Sequence, residues 1–359
     1  MGNRILVGEQ NFPRRTMKIQ RFTSFGHYKR KYTFGLAVLT SASLLFVGCS
    51  SDSSDASNRK SQTSSSEATQ TGEITLKNSW GEANYPVKPE RVVATGTAVD
   101  NLLALGIKPT AVIHTPTDKE RPWQKDKLDG VEVIDATNDG ELPVEKIAAV
   151  HPDFIVGDYW RITEQSYGVL KDIAPTLGAT GTQGEEIGWA SQLKQLGKLY
   201  GKEEKAKEII DADHKRFEEM KKAIPGLKGK TGIVAQFVGD SHQFGVVTDP
   251  KEPGNAFVYD LGMSVPESVQ KLPSNSSGRA MVASENISAL NADFMAIYAQ
   301  SGSDEEMRQI PGYIDLTQVK KKATKVGDSA LVQGLNVPSS LSREWLLKEL
   351  RPELENAAK

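Results

Sequence analysis

VEKIAAVHPDFIV, residues 144–156, and SENISALNADFMA, residues 284–296, align without a gap as E-x-I-x-A-[V/L]-x-x-D-F. The matched pairs are Glu145 with Glu285, Ile147 with Ile287, Ala149 with Ala289, Asp153 with Asp293 and Phe154 with Phe294. In each copy apolar residues at helical spacing precede an Asp and then a short apolar run, the pattern of a helix feeding a buried strand. One unit used twice predicts two lobes of related construction, each carrying an acidic residue at an equivalent place.

Outward from the repeat, short β-branched runs alternate with amphipathic stretches. RVVAT (91–95), TAVIH (110–114) and DFIVGD (153–158) read as strands, and AVDNLLALG (98–106) and VEKIAAV (144–150) as helices. Later, TGIVAQFV (231–238), DFMAIYA (293–299) and SALVQGL (329–335) read as strands, with helices at AFVYDLGM (256–263) and SSLSREWLLKEL (339–350). Such alternation predicts an α/β fold with mainly parallel sheets. It is interrupted once, by residues 190–224, which hold no strand signal; a helix is expected to about Tyr200 and a longer one from about Lys202 to Ile224, stopped by Pro225-Gly226. The expected architecture is two Rossmann-like lobes, 73–201 and 227–359, joined by a single long helix within 202–226.

The first 48 residues carry eight basic residues and one acidic one, Glu9, and end in the uncharged stretch FGLAVLTSASLLFVG (34–48). A basic segment before 15 apolar residues, too few for a bilayer span, reads as a secretory signal peptide. Cys49 is the only cysteine among 359 residues, so a disulfide framework and a CxxC zinc site are excluded. Its setting, Leu45-Phe46-Val47-Gly48-Cys49, resembles a bacterial lipobox, which predicts lipidation at Cys49 and a lipid anchor on the outer face of the cell membrane. Residues 49–72, rich in serine and without aromatics, read as a flexible tether. Taking the leader's eight basic and one acidic residue from totals of 44 and 46 leaves a mature chain near −9. That charge argues against nucleic-acid binding.

Four segments in order, PVKPERVVATGTAVDNLLALGIKP (86–109), LPVEKIAAVHPDFIVG (142–157), LKDIAPTLG (170–178) and SENISALNADFMAIY (284–298), together resemble the substrate-binding lipoproteins of ABC importers for iron-siderophore complexes. The resemblance covers Ile74 to Leu350. It implies a monomer that closes over a ferric siderophore by small motions and delivers it to an ABC permease. One Glu on each lobe docks on permease arginines in that family; the positions fall on Glu145 and Glu285, the pair the repeat selects. It also places a ligand-binding arginine at Arg161.

In parallel α/β lobes ligands sit beyond the C-terminal ends of the strands. That rule selects Thr95, Thr97, His114, Tyr159, Trp160, Arg161, His242, Phe244, Tyr298, Gln300 and Asn336 as cleft residues. Trp123 and Trp189 lie in loops with no evident core helix to fill, and Arg279 lies in the loop SNSSGRA; all three join the candidates. Aromatic faces and a guanidinium suit a bulky chelate with oxygens around its metal. A large arginine set of the kind that carboxylate siderophores attract is missing from the sequence, which favours a hydroxamate or mixed ligand. Of five histidines only His114 and His242 could reach the cleft, too few to bind a bare metal ion, so the iron(III) is expected already chelated and no direct metal site is expected. Two rivals are a haem or cobalamin carrier of the same class, and a GDS-type esterase using Ser241 of GDSHQFG (239–245) with Asp211 and His214. In such esterases the serine block opens the domain and the DxxH closes it; here the order is reversed, so an enzyme is not expected.

Overall fold

The two copies of the repeat occupy the same place in two five-stranded sheets. In the computed structural model, which describes residues 72–359 apart from 117, 119–120, 138–140 and 276–277, an antiparallel hairpin of β1 (Glu73–Asn78) and β2 (Gly81–Pro86) comes first. The leader, Cys49 and the tether to residue 71 lie outside the described residues. The first lobe then runs β3 (Val92–Thr95), α1 (Thr97–Ala104), β4 (Ala111–His114), β5 (Glu132–Asp135), α2 (Val144–Ala149), β6 (Phe154–Val156), α3 (Glu164–Leu170), β7 (Thr176–Leu177) and α4 (Trp189–Tyr200). Its strands order as β5-β4-β3-β6-β7, all parallel. The long helix α5 (Glu203–Ala223) follows, within a residue of its expected bounds.

The second lobe contains β8 (Gly232–Val238), β9 (Gln243–Val247), α6 (Pro253–Asp260), α7 (Glu267–Gln270), β10 (Arg279–Ala283), β11 (Phe294–Ser301), α8 (Asp304–Gln309), α9 (Thr317–Lys320), β12 (Thr324–Gly327), α10 (Ser329–Asn336), α11 (Ser340–Glu349) and α12 (Arg351–Ala357). Its order, β10-β9-β8-β11-β12, matches the first sheet position for position. Only β9 is reversed, pairing antiparallel with both neighbours, because a short hairpin at 239–242 replaces the helical crossover that follows β3. Phe154 pairs with Val92 in one sheet and Phe294 with Gly232 in the other, the same sequence separation in each. The conserved spacing has a cause: Asp153 accepts hydrogen bonds from the N–H groups of Glu90 and Arg91, both 2.9 Å, and Asp293 accepts from Thr231 N–H at 2.9 Å. Each Asp of the repeat therefore fixes the entry of its lobe's central strand.

Alternation along the strands sends side chains to two faces. In the first lobe Val92, Ala94, Phe154 and Val156 pack on α1, α4 and the β1–β2 hairpin, while Val93, Ile113 and Ile155 pack on Ile147 of α2 and Leu170 of α3. In the second lobe Val234, Phe294 and Ala296 face α6, α10, α11 and α12, while Ile233, Phe237 and Ile297 face the short helices α7 and α8. The long helix divides between them. Its Ala206 and Ile210 enter the first core and its Phe217 the second.

One expected strand is a helix. SALVQGL forms α10, whose buried residues Ala330, Leu331, Gly334 and Leu335 follow helical spacing and whose first N–H groups bond the side chain of Asp328. The strand at this edge is β12 instead. Among the described residues no helix is long and apolar enough to cross a membrane.

Candidate ligand-binding cleft

Strand order in the first sheet reverses between β3 and β6, and the chain leaves both strands at the same edge, the place where open α/β sheets form crevices. Asp158, just past β6, organises this edge: one carboxylate oxygen accepts from Thr97 N–H at 2.9 Å and the other from Trp160 N–H at 2.9 Å and Arg161 N–H at 3.1 Å. Gly96 makes that approach possible. A Cβ there would lie 1.8 Å from the Asp158 carboxylate, and φ is +61°.

The turn so held presents Trp160 at the surface, 39% exposed, and directs Arg161 inward. Arg161 Nη2 donates to Thr115 Oγ1 at 3.0 Å and to both oxygens of Asp118 at 3.2 Å. Arg121 also bonds Asp118, and donates to Gly96 O at 3.1 Å and to Gln333 Oε1 of the second lobe at 3.3 Å. Burial works against the charge of Asp118, but Arg121, Arg161 and the Thr115 hydrogen bonds outweigh it and hold the carboxyl below its ordinary range. Asp118 and Arg121 were not selected from sequence; a D-x-x-R loop gives no periodic signal.

Across from this wall stand Gln236 of β8, Arg279 of β10, Tyr298 and Gln300 of β11, and Gln333 and Asn336 of α10. With Trp160 and Arg161 they line a cavity of about 300 Å³ between the lobes. Gln236 Nε2 donates to Gln300 Oε1. The Arg279 guanidinium lies 5.1 Å above the Trp160 ring, and its Nη1 is 3.5 Å from Glu252 Oε1. Neither Arg279 terminal nitrogen makes a hydrogen bond among the described residues, although both are shielded from water. Among the described residues Arg279 therefore has donor capacity to spare at the cavity, and Arg161 is largely committed to Asp118 and Thr115.

The other candidates scatter. Thr97 is buried and its hydroxyl donates to Val337 O at 2.9 Å, a contact between lobes. Tyr159 donates to Glu252 Oε1 at 3.3 Å and, with Trp189, Pro253 and Pro338, lines a narrow crevice that shares Val337 with the 300 Å³ cavity; burial, with Glu252 next to it, pushes the Tyr159 phenol up. His114 ends β4, one strand out from β3, and His242 sits exposed in the β8–β9 turn with φ of 49°; neither lines the 300 Å³ cavity.

Two candidates are corrected. Phe244 is fully buried against Phe237 and Tyr313, because β9 turns it to the sheet face covered by short helices. Trp123 is 6% exposed, donates to Asp100 Oδ2 at 2.9 Å and packs 5.3 Å from Trp345 of α11; the helix its loop seemed to lack comes from the other lobe.

Glu145 and Glu285 are both exposed, each in the first turn of its helical segment, and neither forms an ion pair among the described residues. Ser241 is exposed and, among the described residues, donates to Val238 O at 3.4 Å, while Asp211 and His214 stand on the exposed side of α5, with Asp211 paired to Lys207. No group of three or more His, Cys, Asp or Glu is placed to hold a metal ion among the described residues.

Comparison with known proteins bears on this arrangement. "Probable siderophore-binding lipoprotein YfiY" of Bacillus subtilis is 31% identical over 214 residues, 58% of this chain and 61% of that protein. "Fe(3+)-citrate-binding protein YfmC" of the same organism is 26% identical over 300 residues, 82% of this chain and 88% of the relative. The crystal structure of Streptococcus pneumoniae TIGR4 PiaA in complex with ferrichrome superposes with a TM-score of 0.65 at 26% identity, covering 79% of this chain and 98% of that one. The family described as periplasmic binding protein matches residues 92–331. With every strand of the two five-stranded sheets and the long helix inside that span, the chain belongs to the periplasmic binding protein family.

Proposed function

We propose that this chain is the extracytoplasmic receptor of an iron ABC importer, that it binds a ferric siderophore of hydroxamate or mixed type between its lobes, and that it hands the chelate to a permease from a lipid anchor at Cys49. The family is one of binding proteins rather than enzymes, so the esterase at Ser241 falls away. Relatives named for a siderophore, ferric citrate and ferrichrome support the ligand class.

The observation that carries the choice of ligand is the charge balance of the cavity. Arg121 and Arg161 share Asp118, and Arg279 faces Glu252, while Gln236, Gln300, Gln333 and Asn336 supply neutral carboxamides. Carboxamides and one partly free guanidinium suit a chelate of low charge with amide and hydroxamate oxygens at its rim; a polycarboxylate would call for surplus cations.

Titration with ferrichrome, ferric citrate, haem and cobalamin, followed by tryptophan fluorescence, tests this. Ferrichrome is expected to quench Trp160, which stands exposed in the cavity. Quenching by haem or cobalamin alone would overturn the siderophore reading, and quenching by ferric citrate alone would overturn the hydroxamate assignment.

Arg279→Ala is expected to weaken that binding by about 10- to 100-fold, the worth of one or two charge-assisted hydrogen bonds. Its ion pair with Glu252 is a single 3.5 Å contact without a hydrogen bond, so the thermal midpoint should stay near wild type. An unchanged dissociation constant removes Arg279 from the site.

A further inference from the structure

The lobes meet at a hydrogen-bonded contact directly beside the cavity. Asp100, in the first turn of α1, is 1% exposed and takes three side-chain donors. Trp123 Nε1 at 2.9 Å and Gln124 Nε2 come from its own lobe, and Ser339 Oγ at 2.7 Å comes from the other. Ser339 is itself fully buried and is the N-cap of α11, accepting from Ser342 N–H at 3.0 Å. One helical turn before Asp100, the Thr97 hydroxyl bonds Val337 O at 2.9 Å. The second-lobe turn between α10 and α11 is therefore held by two first-lobe side chains, and the residues just before Ser339, Asn336 and Val337, line the cavity.

We propose that Asp100 is a positioning residue for ligand binding: through Ser339 it fixes the α10–α11 turn, and with it the second-lobe wall of the cleft. The idea rests on the cleft being the ligand site. A buried carboxylate needs its donors, since an unmet one leaves charge in a dry interior. Trp123 and Gln124 meet part of that need within the first lobe, and the third donor, Ser339, arrives only when the lobes are docked, so the bond that completes the Asp100 shell also sets the spacing of the two walls. The network continues on the first-lobe side, where Asp158 joins Thr97 N–H to the turn bearing Trp160 and Arg161. Both walls thus hang from the first turn of α1.

The test compares Ser339→Ala, which deletes the inter-lobe donor, with Ser342→Ala, which damages the same helix cap without touching Asp100. Spin labels at V133C and I314C, exposed positions on opposite lobes, report the lobe spacing in the ligand-free full chain carrying C49S. Ser339→Ala is expected to broaden the label–label distance distribution and to weaken ferrichrome binding about tenfold; Ser342→Ala should lower the thermal midpoint and leave both readouts at wild type. Should Ser339→Ala fail to fold, Asp100→Asn, which keeps the volume and drops one acceptor, is expected to act in the same direction. A Ser339→Ala protein with an unchanged distance distribution or an unchanged ferrichrome affinity overturns the proposal. If ferrichrome does not bind the wild type at all, the ligand reading has failed separately, and the distance distribution alone decides whether Asp100 sets the lobe spacing.

Discussion

Arg343→Ala is expected to destabilise the folded protein by about 3–5 kcal/mol, because it strands Asp213 as a buried carboxylate without its partner. Asp213 stands on α5 between Ile210 of the first core and Phe217 of the second and is fully buried; Arg343 of α11 is 2% exposed. Arg343 Nε donates to both Asp213 oxygens, at 3.1 and 2.9 Å, and Nη2 donates to Asp260 at 2.7 Å. Its guanidinium also lies 4.0 Å above the Phe217 ring. The ion pair thus ties the long helix to the closing helices of the second lobe. Urea unfolding should show the loss as a lower midpoint with an unchanged slope.

The pH dependence of that loss has a definite sign. Burial pushes the Asp213 carboxyl above its ordinary range even with Arg343 in place, and removing Arg343 pushes it further. A carboxyl raised in the folded state binds its proton more readily there than when unfolded, so its stabilising contribution is present in acid and is lost as pH rises through the folded pKa. The shift is larger in the variant. The deficit of Arg343→Ala should therefore be greatest near neutrality and shrink as pH falls through the carboxylate range. A deficit that grew in acid would mean that Asp213 is not the group left unpaired.

Replacing both Glu145 and Glu285 by alanine is expected to abolish siderophore-dependent iron uptake while leaving chelate affinity and thermal midpoint unchanged. Both carboxylates are exposed and form no ion pair among the described residues, so removing them should leave the interior undisturbed. Truncating a charged partner of a buried interface pair costs about 2–5 kcal/mol, and two such losses are beyond what a transient complex can absorb. Each single variant should show an intermediate defect. Normal uptake by the double variant, with binding intact, would place the permease surface elsewhere.

How much of this was legible beforehand follows from what each signal depends on. The repeat was readable because Asp153 and Asp293 do a local job, bonding backbone N–H groups at the start of the neighbouring strand, which demands the same residue type in both lobes. The long helix was readable because Pro225-Gly226 ends it and no strand signal competes. SALVQGL was misread because four apolar residues in seven fit a buried strand as well as a helix; the discriminating sign was Asp328 just ahead, a capping residue. Phe244 was misplaced because the crevice rule names the end of a strand and not the face a side chain takes, and in the reversed strand β9 that face belongs to the core.

The sequence by itself determined the α/β class, the doubled lobe and the helix between them, since periodicity and capping are local in the chain and survive without knowledge of neighbours. Only the tertiary structure decided which side chains line the cavity between the lobes and which hold the lobes together. Arg161 and Arg279 look alike as letters, yet one is absorbed by Asp118 and Thr115 while the other, among the described residues, keeps unused donors over Trp160. Thr97, Asp100 and Trp123 reach partners more than two hundred residues away, in Val337, Ser339 and Trp345. A side chain's role in a cleft is set by whether its hydrogen bonds are already met, and those partners come together only when the chain folds.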